Sequence, residues 1–263
     1  MAGTARQRFS AAAFVVAIAA VTTAGLAADQ VVDIRGQAWL GLGCTALFVV
    51  VARRVDVHER RQAMGVVAVA TFFEVVGAQL WGLYDYRLGN LPLFVPAGHG
   101  LVFLTGLRLS QVPLLARHRR AFIRVTSVVA SVWAVLGAAG LLGTRDLSGA
   151  VGSVLVVVML VRGRQAGLFA GVWWIVAYLE LYGTAIGTWT WSPLVPGLGL
   201  PAGNPPSGVA SGYVVFDWLA SVLVAGVSRF TRRGARGATQ SSSGGDLEGG
   251  NSHVPGSAVA TTG

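Results

Sequence analysis

The sequence predicts an all-α, polytopic integral membrane protein with about eight transmembrane helices in two parallel four-helix repeats. Three observations predict it. Of 263 residues, 54% are hydrophobic and only 12% charged, which is too apolar for an ordinary soluble domain. The apolar residues gather into eight runs, and all but the last two are separated by short Arg-bearing loops. One stretch also occurs twice, as EVVGAQLWGLYDYRLGNLPLFVPAGHG from Glu74 and as ELYGTAIGTWTWSPLVPGLGLPAGNP from Glu180. Glu74 and Gly77 match Glu180 and Gly183 at an offset of 106. After a one-residue deletion the offset is 105, so Gly82, Tyr84 and Tyr86 fall on Gly187, Trp189 and Trp191. Pro96, Ala97, Gly98 and His99 then fall on Pro201, Ala202, Gly203 and Asn204. An ordered series of carboxylate, glycines, aromatic pair and PAG reads as an internal duplication.

The first apolar run, residues 9–28, follows Arg6 and Arg8. Its small-residue end before Asp29 also suits a signal peptide, and both readings stay open. Residues 38–52 form a short second run closed by Arg53 and Arg54. Residues 62–83 form the third and contain Glu74; residues 92–109 form the fourth, interrupted by Pro96 and Gly98. The second half repeats the plan with runs at 121–143, 147–161, 167–188 and 207–228. The transmembrane domain is thus expected over residues 1–228, with repeats at about 9–112 and 121–228. Residues 229–263 turn to Gly, Ser, Thr and Asn beyond Arg236. Such a segment buries too little to offset its ordering entropy, so a disordered cytoplasmic tail is expected.

Charge fixes the expected orientation. All 20 basic residues are Arg. With eight spans, 17 of the 20 fall on the side that carries both termini, and only Arg35, Arg87 and Arg145 on the other. The positive-inside rule then places both termini in the cytoplasm and the chain in the plasma (cytoplasmic) membrane. The absence of Lys excludes lysine Schiff-base chemistry. The net charge of +9 is a topology signal rather than a nucleic-acid face, so no nucleic acid is expected as a partner. Cys44 is the single cysteine, which excludes an intrachain disulfide and a Cys-based metal site. No cofactor and no metal is expected. The expected partners are the membrane lipid bilayer and a lipophilic substrate.

Glu74 and Glu180 carry the chemistry, each about twelve residues into its run. An intramembrane carboxyl costs about 2.5–3.5 kcal/mol on insertion scales, so it is a functional candidate by default. In an apolar site it is expected to be neutral and able to give a proton; the alternative is a neutral interhelical hydrogen-bond donor. His99 is a candidate acid–base partner, and Asp217 a third carboxyl in the last run, facing His99 or Arg108 or capping a broken helix. Trp81, Tyr84, Tyr86, Trp189 and Trp191 stand where two runs end, with Asn204 at the position of His99 in the second copy. They fit either an interfacial belt or a binding wall for a polyene or carbocation. The Pro/Gly stretches 88–100 and 192–208 are expected to be non-helical, and such backbone at membrane depth must line a cavity or be buried.

Glu74, Gly77, the run Gly82-Leu83-Tyr84-Asp85-Tyr86, and Val95-Pro96 resemble the carotenoid-biosynthesis integral membrane family of bacteria and archaea. That family includes hydratases such as the bisanhydrobacterioruberin hydratase. The resemblance covers about 25 residues. His99 in PAGHG and the second copy at Glu180 depart from the family pattern. The resemblance implies chemistry on a long isoprenoid, with Glu74 protonating a double bond. The reading that follows is a membrane enzyme acting on a carotenoid-like lipid by acid–base chemistry. A small-solute or proton-coupled transporter and a scaffold without catalytic activity are the alternatives.

Overall fold

A computed structural model describes the backbone of residues 3–243 and the side chains of residues 11–226. Each of the eight apolar runs falls largely within a helical segment, the third continuing past its α-helix. These helices are α1 (Gly3–Asp29), α2 (Ile34–Arg54), α3 (Val57–Glu74), α4 (Phe94–Ser110), α6 (Arg119–Ala138), α7 (Leu147–Arg162), α8 (Ala166–Ala185) and α9 (Ala210–Ser243). The short α5 (Pro113–Arg117) joins the two halves of the chain. Among the described residues, five helical stretches are long and apolar enough to cross a membrane: Ala11–Asp29, Ile34–Arg54, Val57–Trp81, Arg119–Ala138 and Ala166–Ala185. Large apolar side chains such as Phe72, Leu80, Val135 and Val161 point outward. A soluble protein rarely exposes so much contiguous apolar surface, so these helices associate the chain with a lipid bilayer. α7 has 16 residues and α4 has 17. At 1.5 Å per residue they reach only about 25 Å, less than the hydrocarbon thickness of about 30 Å.

Local chemistry sets the helix ends. Asp33 caps α2 by accepting the Gly36 backbone N–H at 2.8 Å. Asp56 caps α3 through the N–H groups of Glu59 and His58, and the Glu59 bond holds its carboxyl below the usual range. Asp146 caps α7 from the Gly149 N–H at 2.9 Å. Such caps satisfy donors that the first turn leaves open.

Among the described residues, 3–222 form one compact unit, and those from Leu223 on belong to a second. Within the first, α4 is the central helix and packs on α1, α2, α3 and α8. α6 and α7 pack on each other and on α8. Arg108 at the end of α4 grips Glu59 at the start of α3 with two nitrogens, at 2.9 and 2.6 Å. That bond takes the arginine that Asp217 was expected to meet.

Three expectations change. Residues 94–100 are helical, because Pro96 sits in the first turn of α4, where its missing N–H costs no bond. The stretch 189–206, which reads in sequence as an uncharged loop, is not a plain loop. It holds β2 (Trp189–Trp191), β3 (Leu194–Val195) and β4 (Leu200–Pro201), and β2 pairs with β1 (Tyr84–Tyr86). The expected tail begins inside α9, which stays helical to Ser243; residues 244–263 lie outside the described residues.

Candidate functional site

The helix that carries Glu74 changes its winding at that residue. α3 ends at Glu74 and a π-helical segment, Val75–Trp81, follows. It is closed by Gly82 in the left-handed region at φ 72°. The chain has one more residue between Gly77 and Gly82 than between Gly183 and Gly187, and the wider turn absorbs it. In the second copy the helix stays α-helical to Ala185 before turning at Gly187. π segments inside helices recur at functional sites.

The reversal at Gly82 brings β1 back over the end of its own helix. The Tyr84 and Tyr86 hydroxyls donate to Glu74 Oε2 at 2.7 and 2.8 Å. Glu74 Oε1 lies 2.8 Å from His99 Nε2. Glu74 and His99 are both buried. Which of Oε1 and Nε2 donates follows the His99 tautomer, while Oε2 accepts from both tyrosines. His99 Nδ1 is buried and has no hydrogen-bond partner among the described residues.

Glu180 has its own set of donors. Trp189 and Trp191 donate their indole N–H groups to Glu180 Oε2 at 2.9 and 3.2 Å. Tyr213 donates to Oε1 at 3.4 Å. Gly183 makes room for this arrangement, since a Cβ there would stand 2.2 Å from Trp189 Cη2. The two carboxyl groups are joined by ring contacts. The His99 and Tyr213 rings stack at 4.7 Å, and the Tyr84 and Trp191 rings meet at 4.5 Å. In the β1–β2 ladder Tyr84 faces Trp191 and Tyr86 faces Trp189.

Both carboxyl groups, His99 and Tyr213 line one cavity of about 1240 Å³ whose wall is otherwise mostly apolar. It exceeds the roughly 300–1,000 Å³ of pockets for drug-sized ligands. Among the described residues no group of three or more His, Cys, Asp or Glu side chains gathers to hold a metal.

The structure thus brings together Glu74, His99, Tyr84 and Tyr86, and beside them Glu180, Trp189 and Trp191. Tyr84, Tyr86 and Trp189 are buried, which is not how an interfacial belt sits. Trp81 is half-exposed, lines the cavity and donates to the Pro196 carbonyl at 2.9 Å. Asn204 does not reach Glu180; its Oδ1 accepts the Trp191 backbone N–H at 3.1 Å. Asp217 stands apart. It is buried, its Oδ2 has no partner among the described residues, and it meets neither His99 nor Arg108.

Two groups escaped the sequence reading. Tyr213 occupies the role beside Glu180 that His99 has beside Glu74, yet lies nine residues beyond Asn204. A fixed repeat offset therefore missed it, although it is an isolated polar aromatic at the head of the last apolar run. The second is a buried polar knot at the end of the bundle that carries the ladder. Asp29 accepts from Gln37 Nε2 at 2.8 Å and Arg87 Nε at 3.3 Å, and Asn90 donates to Gln37 at 2.9 Å. Arg87 also donates to the Asp29 and Val32 carbonyls. This knot ties the α1–α2 turn to the segment after β1.

The fold and site define a helical protein with an apolar cavity and two buried carboxyl groups at its wall. No family model, curated protein or solved structure matches the chain.

Proposed function

We propose that this chain is a multi-pass membrane enzyme that acts on a long isoprenoid by acid–base chemistry at Glu74 and His99. The observation that carries this is the Glu74–His99 contact, braced by two tyrosine hydroxyls in the wall of a large apolar cavity. The tyrosines orient the carboxyl through Oε2 and leave the shared Oε1–Nε2 proton to be given away. Transfer of that proton to a carbon–carbon double bond breaks the π bond, forms a C–H bond and leaves a carbocation. Aromatic faces around the cavity attract such a cation. Attack by water forms the C–O bond, and the proton that water loses returns to the Glu74–His99 pair. The similarity of Glu74 to Pro96 to the carotenoid-biosynthesis family supports an isoprenoid over another lipid, and hydration is a reaction that balances without a redox partner.

Eight membrane-crossing helices in two parallel repeats, with both termini cytoplasmic, complete the proposal. Two features support the repeat. The Oε2 of each glutamate takes both its donors from the aromatic pair of its own copy. The ladder also pairs Tyr84 with Trp191 and Tyr86 with Trp189, which is the exchange a twofold axis between equivalent strands produces. Reporter fusions test the orientation. A reporter active only outside the cytoplasm should work after Gln37 and stay silent after Arg117; the reverse would sink the topology.

The activity is tested by expressing the chain in a host that accumulates linear carotenoids and extracting the pigments. The expected result is a new species heavier by one water. An unchanged lipid profile with the protein present in the membrane would defeat the enzyme reading. An altered uptake of small solutes instead would favour a transporter.

A further inference from the structure

α1 and α2 are consecutive antiparallel helices, yet each packs chiefly on α4 and touches the other only lightly. Residues of both line the cavity along this seam, among them Val21 and Gly25 of α1 and Trp39 and Gly43 of α2. Val21 is 53% exposed and Trp39 73% exposed. The same side chains therefore belong to the cavity wall and to the apolar outer surface of the bundle. Gly25 and Gly43 face open space, with nothing within 4 Å of where a Cβ would stand. The other face of α2 is closed, since a Cβ on Gly41 would lie 2.5 Å from Leu93.

The opposite flank of the cavity offers a contrast. Val151 and Leu155 of α7 also line it and are exposed. There the backbones are in contact: a Cβ on Gly152 would meet the Gly208 carbonyl at 2.8 Å, and one on Gly149 the Ser207 nitrogen at 2.5 Å. Nothing can pass between elements packed that closely without separating them.

We propose that the seam between α1 and α2 is a lateral doorway through which a long, flexible hydrocarbon chain passes from the bilayer into the cavity. The ligand class follows from the surroundings. The opening lies in lipid-facing apolar surface, and the wall behind it is apolar up to the carboxyl groups. An occupant arriving by this route stays out of water throughout and carries little polarity along its length. The inference rests on the acid–base reading above for what happens to the ligand, and on the seam alone for how it arrives.

The test uses the full chain in lipid nanodiscs with a diazirine-tagged geranylgeranyl hydrocarbon, photolysed and mapped by mass spectrometry. Cross-links are expected on α1 and α2 at the seam, and unlabelled hydrocarbon should displace them. Gly25→Phe and Gly43→Phe fill open space, so each should lower labelling by at least about tenfold with an unchanged melting temperature. Displacing two methylenes from an apolar site already changes affinity by that factor. Leu114→Phe, on exposed α5, should label as the parent does. Glu74→Gln should also label normally while losing turnover, which separates this inference from the catalytic one. Full labelling in the Gly25→Phe, Gly43→Phe double variant overturns the doorway. If that variant melts early, the parent map decides instead, and cross-links at Val151 and Leu155 without any on α1 or α2 overturn it. Equal labelling of the seam by a diazirine phosphatidylcholine, undisplaced by hydrocarbon, would reduce it to a lipid-filled fissure and also overturn it.

Discussion

Glu74→Gln should abolish product formation while leaving the protein at its normal level in the membrane. The geometry explains why an amide is tolerated. The Gln carbonyl can accept both tyrosine hydroxyls that now reach Oε2. The amide nitrogen would face His99 and donate to Nε2, with the imidazole proton moving to Nδ1. Packing and hydrogen bonding survive, but the group can no longer give up and regain a proton. A positioned acid or base contributes about 10²–10⁴ in rate, so activity should fall by at least about a hundredfold. His99→Gln should fall with it, because the two side chains share the proton. Glu180→Gln should cost less. Among the described residues its carboxyl accepts only from two indoles and a tyrosine at 3.4 Å and has no basic partner. Normal product formation in both glutamate variants, at normal abundance, would leave the carboxyl groups as packing features and remove the chemical reading.

Gly171→Val should give the largest loss of stability. α4 and α8 meet backbone to backbone at Gly106 and Gly171. A Cβ on Gly171 would stand 2.1 Å from the Gly106 carbonyl oxygen, and one on Gly106 would stand 2.7 Å from the Val172 backbone. In lipid, helices gain little from the hydrophobic effect against each other and depend on such close approach. Forcing the helices apart costs about 1–3 kcal/mol or more. It also displaces α4, which carries His99, from α8 in the wall of the same cavity, so activity should fall beyond the loss of protein. Gly43→Ala is the matched control, because nothing lies within 4 Å of its Cβ position. Membrane abundance and the melting temperature of the purified chain decide the matter. A valine variant that melts with the parent would show that the two helices are free to part.

Much of this protein was legible before any coordinate. Long apolar runs can hide their backbone polar groups in lipid only as helices, so composition and run length specified the secondary structure of the hydrophobic segments. The glutamate and aromatic pair recur at nearly the same spacing, and that spacing is the hydrogen-bonded unit at each site. The buried carboxyl groups declared themselves because a charge in an apolar run is costly enough to need a reason.

The tertiary structure decided what those residues touch. In a membrane helix the lipid-facing and protein-facing sides are both apolar, so periodicity does not say which side faces inward. That is why Asp217 could be offered partners it does not meet. The link between Tyr84, Tyr86 and Glu74 needs the chain to reverse at Gly82, and the one-residue offset between the copies does not announce a π turn. The pairing of β1 with β2 joins residues about a hundred positions apart, beyond the reach of any local pattern. The seam between α1 and α2 is likewise a fact of packing: Gly25 and Gly43 read in sequence like Gly106 and Gly171, and only their neighbours in space make the first pair open and the second closed.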